Sequence, residues 1–265
     1  MKKYLYVFIT NIKEAFMWRE NLFIWIVINA LTYAVYPFIF IAIYGNREEL
    51  GGYTRAMLVT YFILMPLIDS LTLSYVWDDM GKHVREGTIG QYLAKPMSYL
   101  AFMFFSEAGS RVVRFLLSLL IVAIVIPFAR HFIVLPHLSL PRFFLFLASL
   151  AFGVGLGFLT ASALGLISFW TTRSDWALHS WWALSAFAAG YVAPTTLYPP
   201  TFQIVISYLP YSLLIETPIR ILLDTITTPE VIHRFLVGAI WLGLLGGLNA
   251  YIWRRGVRRV DIVGI

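Results

Sequence analysis

Six stretches of this sequence are apolar enough to be read as membrane spans: Leu22–Tyr44, Arg55–Val76, Phe115–Phe128, Phe143–Trp170, Trp176–Val192 and Phe235–Trp253. A helix needs about 20 apolar residues to cross a bilayer. Within hydrocarbon every backbone N–H and C=O must pair inside its own segment, so such spans are helical. The rest of the composition points the same way. Charged residues make up 13% of the 265 residues, against about 25% in a typical soluble domain. The expected fold class is therefore an all-α polytopic membrane protein, a single transmembrane domain over residues 1–265 with six spans. Glu107, Arg111 and Arg114 mark the approach to the third span as a wet section. Gly153, Gly155 and Gly157 in the fourth are expected to let a neighbouring helix come close. There is no cysteine, which leaves no disulfide framework, thiolate metal site or thiol nucleophile.

The segments between the spans are as informative. Residues 1–20 carry Tyr4, Val7, Phe8, Ile12 and Phe16 at helical spacing, opposite Lys2, Lys3, Asn11 and Lys13. This predicts an amphipathic elbow helix lying in the interface plane. Its polar interruptions leave no h-region, so no cleavable signal peptide is expected. Residues 194–229 hold Pro194, Pro199, Pro200, Pro210, Pro218 and Pro229 and predict short or re-entrant helices covered by protein. With both termini inside, Lys2, Lys3, Lys13, Arg19, Lys82, Arg85, Lys95, Arg111, Arg114, Arg173, Arg254, Arg255, Arg258 and Arg259 fall on the inner side. Arg47, Arg55, Arg130, Arg142, Arg220 and Arg234 fall on the outer side. That asymmetry places the termini in the cytoplasm. It also accounts for the net charge of +6 without a nucleic-acid partner.

The longest polar run, Trp77–Tyr99, then becomes a cytoplasmic loop between the second and third spans. Gly87 after Glu86 suits a helix end, and Pro96 after Lys95 stops a second helix. Between them Thr88–Ala94 has room for about two turns, with Ile89 and Leu93 on one face and Gln91 and Lys95 elsewhere. An ordinary solvated loop would fit the charge density; the Gly-to-Pro bracket favours a short helix that docks on a soluble partner. Arg85, Glu86, Gln91 and Lys95 are the residues to pair with such a surface, and Ile89, Tyr92 and Leu93 those to fill its groove. The sequence has no GxxxxGK[ST] loop, so any nucleotide must be bound by another chain.

These features resemble the membrane subunit of a type-2 ATP-binding-cassette (ABC-2) transporter over the whole chain. The matching residues are Arg85-Glu86-Gly87-Thr88 with Leu93-Ala94-Lys95-Pro96, and Trp253-Arg254-Arg255-Gly256 followed by Arg258-Arg259. Val260 and the terminal Gly264-Ile265 depart from the family's usual ending. The resemblance implies a permease in a prokaryotic plasma membrane that exports its substrate, and the aromatic, weakly charged spans suit a hydrophobic or amphiphilic one (a drug, lipid or lipid-linked glycan). It implies two ATPase subunits that carry ATP and Mg, and a second permease, identical or related. It makes residues 83–96, His83 and Thr88 included, the coupling segment. No cofactor is expected on this chain itself.

Within the spans Asp69 is either a functional carboxylate or an Asp bonded to Ser70, Thr72 or a neighbouring helix. Glu216 and Arg220, four apart, either pair on one helix face or form a gate. His179, Trp181, Trp182 and Tyr191 decorate the fifth span, as interfacial anchors or as pathway lining. Asp69, Glu216, Arg220, Trp182 and Tyr191 are thus the candidate substrate pathway. His131 and His137 lack Asp, Glu or Cys neighbours and are not expected to hold a metal. An intramembrane enzyme would need a nucleophile with its base, or an HExxH-type ligand set; the sequence has neither, and no catalytic residue is assigned. A membrane scaffold without transport of its own would leave the coupling-type loop without a role.

Overall fold

A computed structural model describes residues 2–17, 35–43, 47–134, 139–171 and 175–259, with 24, 28 and 45. The first expected span, Leu22–Tyr44, lies largely outside the described residues. Its last part, 35–43, is helical (α2), and Tyr36 and Phe40 stack on Phe62 with ring centroids 5.3 and 5.0 Å apart.

Helix α1 is Lys2–Met17. It packs along the first third of a long helix, α6 (Tyr99–Ala129). Tyr4 stacks on Phe105 at 5.1 Å, and Ser106 donates to Asn11 Oδ1 at 2.8 Å. A Cβ on Gly109 would stand 2.6 Å from the Phe8 carbonyl oxygen, so only glycine allows this approach. The opposite face of α1 leaves Leu5, Tyr6, Ile9 and Met17 exposed.

After α2 a two-residue-loop hairpin, β1 (Glu49–Leu50) with β2 (Tyr53–Thr54), turns through Gly51 and Gly52, both at positive φ. That is the twist-matched hairpin turn that glycine supplies without strain. Thr54 then caps α3 (Arg55–Thr72), accepting from Met57 N. The second span is broken: Leu73, Ser74 and Tyr75 leave the helix before α4 (Val76–Arg85) resumes it. The run from Trp77 is therefore helical up to Arg85, and only residues 86–98 remain as a connection, with α5 (Ile89–Leu93) inside it.

Beyond α6 come α7 (Leu140–Leu166), α8 (Asp175–Ala188), α9 (Pro200–Ser207), α10 (Glu216–Leu222) and α11 (Thr228–Gly256). Four helical stretches among the described residues are long and apolar enough to cross a membrane: Arg55–Arg85, Tyr99–Pro127, Leu140–Phe169 and Thr228–Arg259. Each has 29 to 32 residues, or about 45 Å at 1.5 Å per residue. The fifth expected span, Trp176–Val192, is shorter. Its helix α8 has 14 residues and ends as Gly190 takes φ +89° against Tyr61.

The approach to the third span also differs from expectation. Glu107 and Arg111 are buried, and α6 is continuous. Glu107 receives Arg114 at 2.5 Å and Arg111 at 3.7 Å, while Arg114 also donates to the Leu73 carbonyl freed by the break. Glu107 thus has protein partners in place of water, whereas Arg111 Nε and Nη2 are buried without a hydrogen-bond partner among the described residues.

Close packing is set by α7. Gly153, Gly157 and Gly165 share one face, and the broken α3–α4 pair runs along it. A Cβ on Gly153 would stand 2.8 Å from the Leu213 carbonyl oxygen, and one on Gly157 would overlap the Thr72 carbonyl. One on Gly165 would meet the Trp77 backbone at 3.0 Å. Gly155 faces Leu242 of α11 instead. Two larger cores lie on either side of the break at 73–75, with a small third one around Val59, Ile63 and Val122. One core gathers Tyr61, Phe62, Met65, Leu213, Leu214, Ile215 and Ile219; the other gathers Met80, Ile89, Tyr99, Met103, Phe158 and Leu166. Leu236, Ile240, Leu244 and Leu248 form an exposed apolar stripe on α11, as expected where the solvent is lipid.

Candidate coupling segment and buried polar clusters

The connection 86–98 begins where α4 must stop. Glu86 N and Gly87 N close onto the carbonyls of Lys82 and Val84, and Gly87 adopts φ +69°. Nothing lies within 4 Å of a Cβ placed there, so the glycine is needed for its backbone conformation, not for room. Thr88 Oγ1 lies 3.4 Å from the His83 carbonyl. Ile89 is fully buried in the second core. The expectation that Ile89 would fill a partner's groove is corrected here: this chain's own core takes it.

Tyr92 lies against the His83 ring at 4.4 Å, against Tyr99 at 5.6 Å and against Phe102 at 5.1 Å. Tyr99 stacks on Trp253 near the end of α11, and its hydroxyl meets His83 Nδ1 at 2.9 Å. Lys95 lies over the Tyr92 ring, 4.5 Å from its centroid. At the far end Lys3 Nζ donates to the Pro96 carbonyl, and Ser98 N donates to Tyr4 Oη at 3.4 Å. The segment is thus held by rings from α6 and α11 and by α1. Arg85, Glu86, Gly87, Gln91, Lys95 and Pro96 are left exposed, while Leu93 is half-buried.

Asp69 and Tyr191 come together. The Tyr191 hydroxyl donates to Asp69 Oδ1, whereas Ser70 and Thr72 give their hydroxyls to carbonyls of their own helix. Asp69 therefore ties α3 to the segment after α8. Residues 189–195 are fixed at further points. Glu216 N donates to the Ala189 carbonyl at 3.1 Å, and Tyr61 Oη to the Gly190 carbonyl at 2.9 Å. Trp182 packs half-buried beside Trp181, edge to face at 5.5 Å, against the core around Tyr61 and Phe62.

Glu216 and Arg220 belong to a larger network than their spacing suggested. Their own separation is 3.8 Å. Glu216, wholly buried, receives Thr195 Oγ1 at 2.7 Å, Thr195 N at 3.1 Å and Arg234 at 3.3 Å. Arg220 pairs with Glu230 and donates to the Thr225 carbonyl at 2.7 Å. Arg234 also donates to Glu230 at 2.8 Å and to Thr217 Oγ1 at 2.9 Å. Burial, with the Glu216 carboxylate nearby, lifts the Tyr198 phenol to about 12 and raises Tyr53 still further. Both stay protonated at any physiological pH.

Arg234 and Glu230 were not among the sequence candidates, although a signal existed. Glu230 precedes Arg234 by four residues just as Glu216 precedes Arg220, the orientation that favours pairing on a helix. Among the described residues no group of His, Asp and Glu is placed to hold a metal. His137 and the side chain of His131 lie outside the described residues.

A bundle of long apolar helices, with a polar segment clasped at one end, defines an integral membrane protein. Residues 30–264 match the family described as ABC-2 family transporter protein, and the chain belongs to that family. It is a membrane component of an ABC transporter, a class that transports rather than catalyses by itself and usually works with an ABC ATPase. No curated protein and no solved structure matches the chain.

Proposed function

We propose that this permease is one half of the membrane unit of an ATP-driven exporter in a prokaryotic plasma membrane. It has six spans with both termini cytoplasmic, α1 as the interfacial elbow, and residues 194–229 at the outer side. Two ATPase subunits, which bind ATP and Mg, sit beneath it and a second permease, identical or related, in contact with membrane lipid. The substrate is hydrophobic or amphiphilic, and Asp69, Tyr191, Trp182, Glu216 and Arg220 stand nearest its pathway. Residues 83–96 dock on the ATPase.

The observation that supports docking is the combination of exposed charge and tight backing. Arg85, Glu86, Gln91 and Lys95 face outward, while Tyr92 and Tyr99 connect them through Trp253 to the last long helix. A displacement of the segment by ATP-bound ATPases therefore reaches α6 and α11 directly. Such a ligand shifts a two-state bundle only by as much as it favours one state, and a short backed helix can transmit that preference.

The test is a mild-detergent pull-down of the tagged chain with mass spectrometry, followed by Glu86→Arg with Gly87→Val in the recovered complex. An ATPase should copurify, and the double substitution should abolish substrate-stimulated ATP turnover while helical content is kept. Isolation of the chain alone, or unaltered stimulated turnover in the variant, removes the docking role.

A further inference from the structure

The end of the molecule opposite the coupling segment holds a cleft of ≈ 230 Å³ between α9, α10 and the start of α11. At about 30 Å³ per water it has room for roughly seven waters, the space of one small polar ring. Its wall mixes hydrogen-bonding and apolar groups: Thr195, Gln203, Ser207, Ser212, Arg220 and Glu230, with Thr196 and Arg234 beside them and Ile204 and Ile206 supplying apolar surface. Arg220 and Arg234 are 5% and 6% exposed. Two lining residues also keep buried polar atoms without a partner, Arg220 Nε and Thr196 Oγ1. Buried donors are ordinarily satisfied, so the chain maintains here more polar capacity than its own contacts use.

The charge balance selects the ligand class. Arg220 and Arg234 are matched by Glu216 and Glu230, leaving no net positive charge for an anion, which would have to displace Glu230. Glu230 is about one-third exposed and still has lone pairs to offer. Serine and threonine hydroxyls both donate and accept. A wall that sets carboxylate, guanidinium, amide and hydroxyl groups beside Ile204 and Ile206 matches a ligand whose edges both donate and accept and whose C–H faces are apolar. We propose that this cleft binds a neutral, polyhydroxylated group the size of a single sugar ring, held by Glu230, Arg220 and the hydroxyls of Thr195, Thr196, Ser207 and Ser212. The site goes beyond the transport reading and does not depend on an ATPase docking at the other end.

The experiment uses the full chain in lipid nanodiscs. Saturation-transfer NMR is recorded with methyl β-glucoside and methyl α-mannoside, and separately by phosphorus NMR with inorganic phosphate. Ser207→Phe places a ring in the cleft from a half-buried position outside the ion-pair network, and Thr196→Val removes the unpartnered hydroxyl at nearly constant shape. At least one glycoside should bind saturably in the millimolar range, at least about tenfold more weakly in Ser207→Phe and several-fold more weakly in Thr196→Val. Should Ser207→Phe fail to fold, Thr196→Val decides. Glycolipid added to the nanodisc that displaces the glycoside places the sugar on a membrane lipid, and failure to displace it places it in solution; either keeps the site. Phosphate binding without glycoside binding overturns the proposal, as does glycoside binding that neither substitution weakens, or no binding at all. A failed pull-down with glycoside binding intact would sink the ATPase reading alone.

Discussion

The two ends of the molecule are polar, yet they are held by different physics. At the coupling end the contacts behind residues 83–99 are rings on rings: His83, Tyr92, Tyr99, Phe102 and Trp253. The ion pair beside them, Lys82–Asp78, is exposed and worth little. At the other end Glu216, Arg220, Glu230 and Arg234 interlock with Thr195 and Thr217, mostly out of water. A ring pair contributes about 0.5–1.5 kcal/mol and keeps most of it across a range of offsets. Breaking a buried ion pair costs about 3–5 kcal/mol. One end is held mainly by ring contacts and the other by buried ion pairs.

The largest effect should come from the ion-paired end. Arg234→Ala leaves Glu216 buried beside a weaker partner and should lower stability by about 3–5 kcal/mol. Denaturant unfolding in detergent measures this; a loss below about 1 kcal/mol would mean the network is ornamental. Tyr99→Ala at the ring-packed end empties a buried aromatic site and should cost about 3 kcal/mol, whereas Tyr99→Phe removes only the His83 bond and should cost about 1 kcal/mol. Equal losses for the two would show that the ring stack contributes nothing.

Gly157→Ala tests the frame that joins the ends. Its Cβ would overlap a carbonyl on the Thr72 side, and such overpacking costs about 1–3 kcal/mol, while Gly246→Ala has open space and should be neutral or stabilising by up to about 1 kcal/mol. The same unfolding assay separates them, and the opposite order would refute the packing described for α7. The smallest stability effect belongs to Lys95→Glu, expected within about 0.5 kcal/mol. If the proposed docking holds, stimulated ATP turnover should nevertheless fall in that variant, because an exposed charge is reversed on the proposed docking face; unchanged turnover would confine docking to the residues before it.

Much of this was legible from residue order. The long helices over 143–166 and 235–253 follow from length and hydropathy alone, as does that over 55–72, though not the break at 73–75 that ends it. The short helix between Gly87 and Pro96 follows from two residues whose backbone preferences are intrinsic. The prolines of 194–229 announce their helices because proline tolerates the first turn of a helix and little else: Pro200 and Pro229 stand in the first turns of α9 and α11, and Pro210 opens a short 3-10 helix, Pro210–Leu213. What sequence reading placed in water, Glu107 and Arg111, is buried, because a charge's environment depends on partners at other positions. Ile89, read as an outward apolar face, turns inward for the same kind of reason: the face of a two-turn helix is chosen by the wall it meets.

Residue order by itself determined an all-α membrane chain of the ABC-2 family with a polar segment after its second span, because periodicity, proline and glycine act locally. Only the tertiary structure decided that Glu216 answers to Arg234 as well as Arg220, that Asp69 meets Tyr191 more than 100 residues away, and that Thr195, Ser207, Arg220 and Glu230 line one cleft. Burial and pairing are properties of positions that folding brings together, and no local pattern contains them.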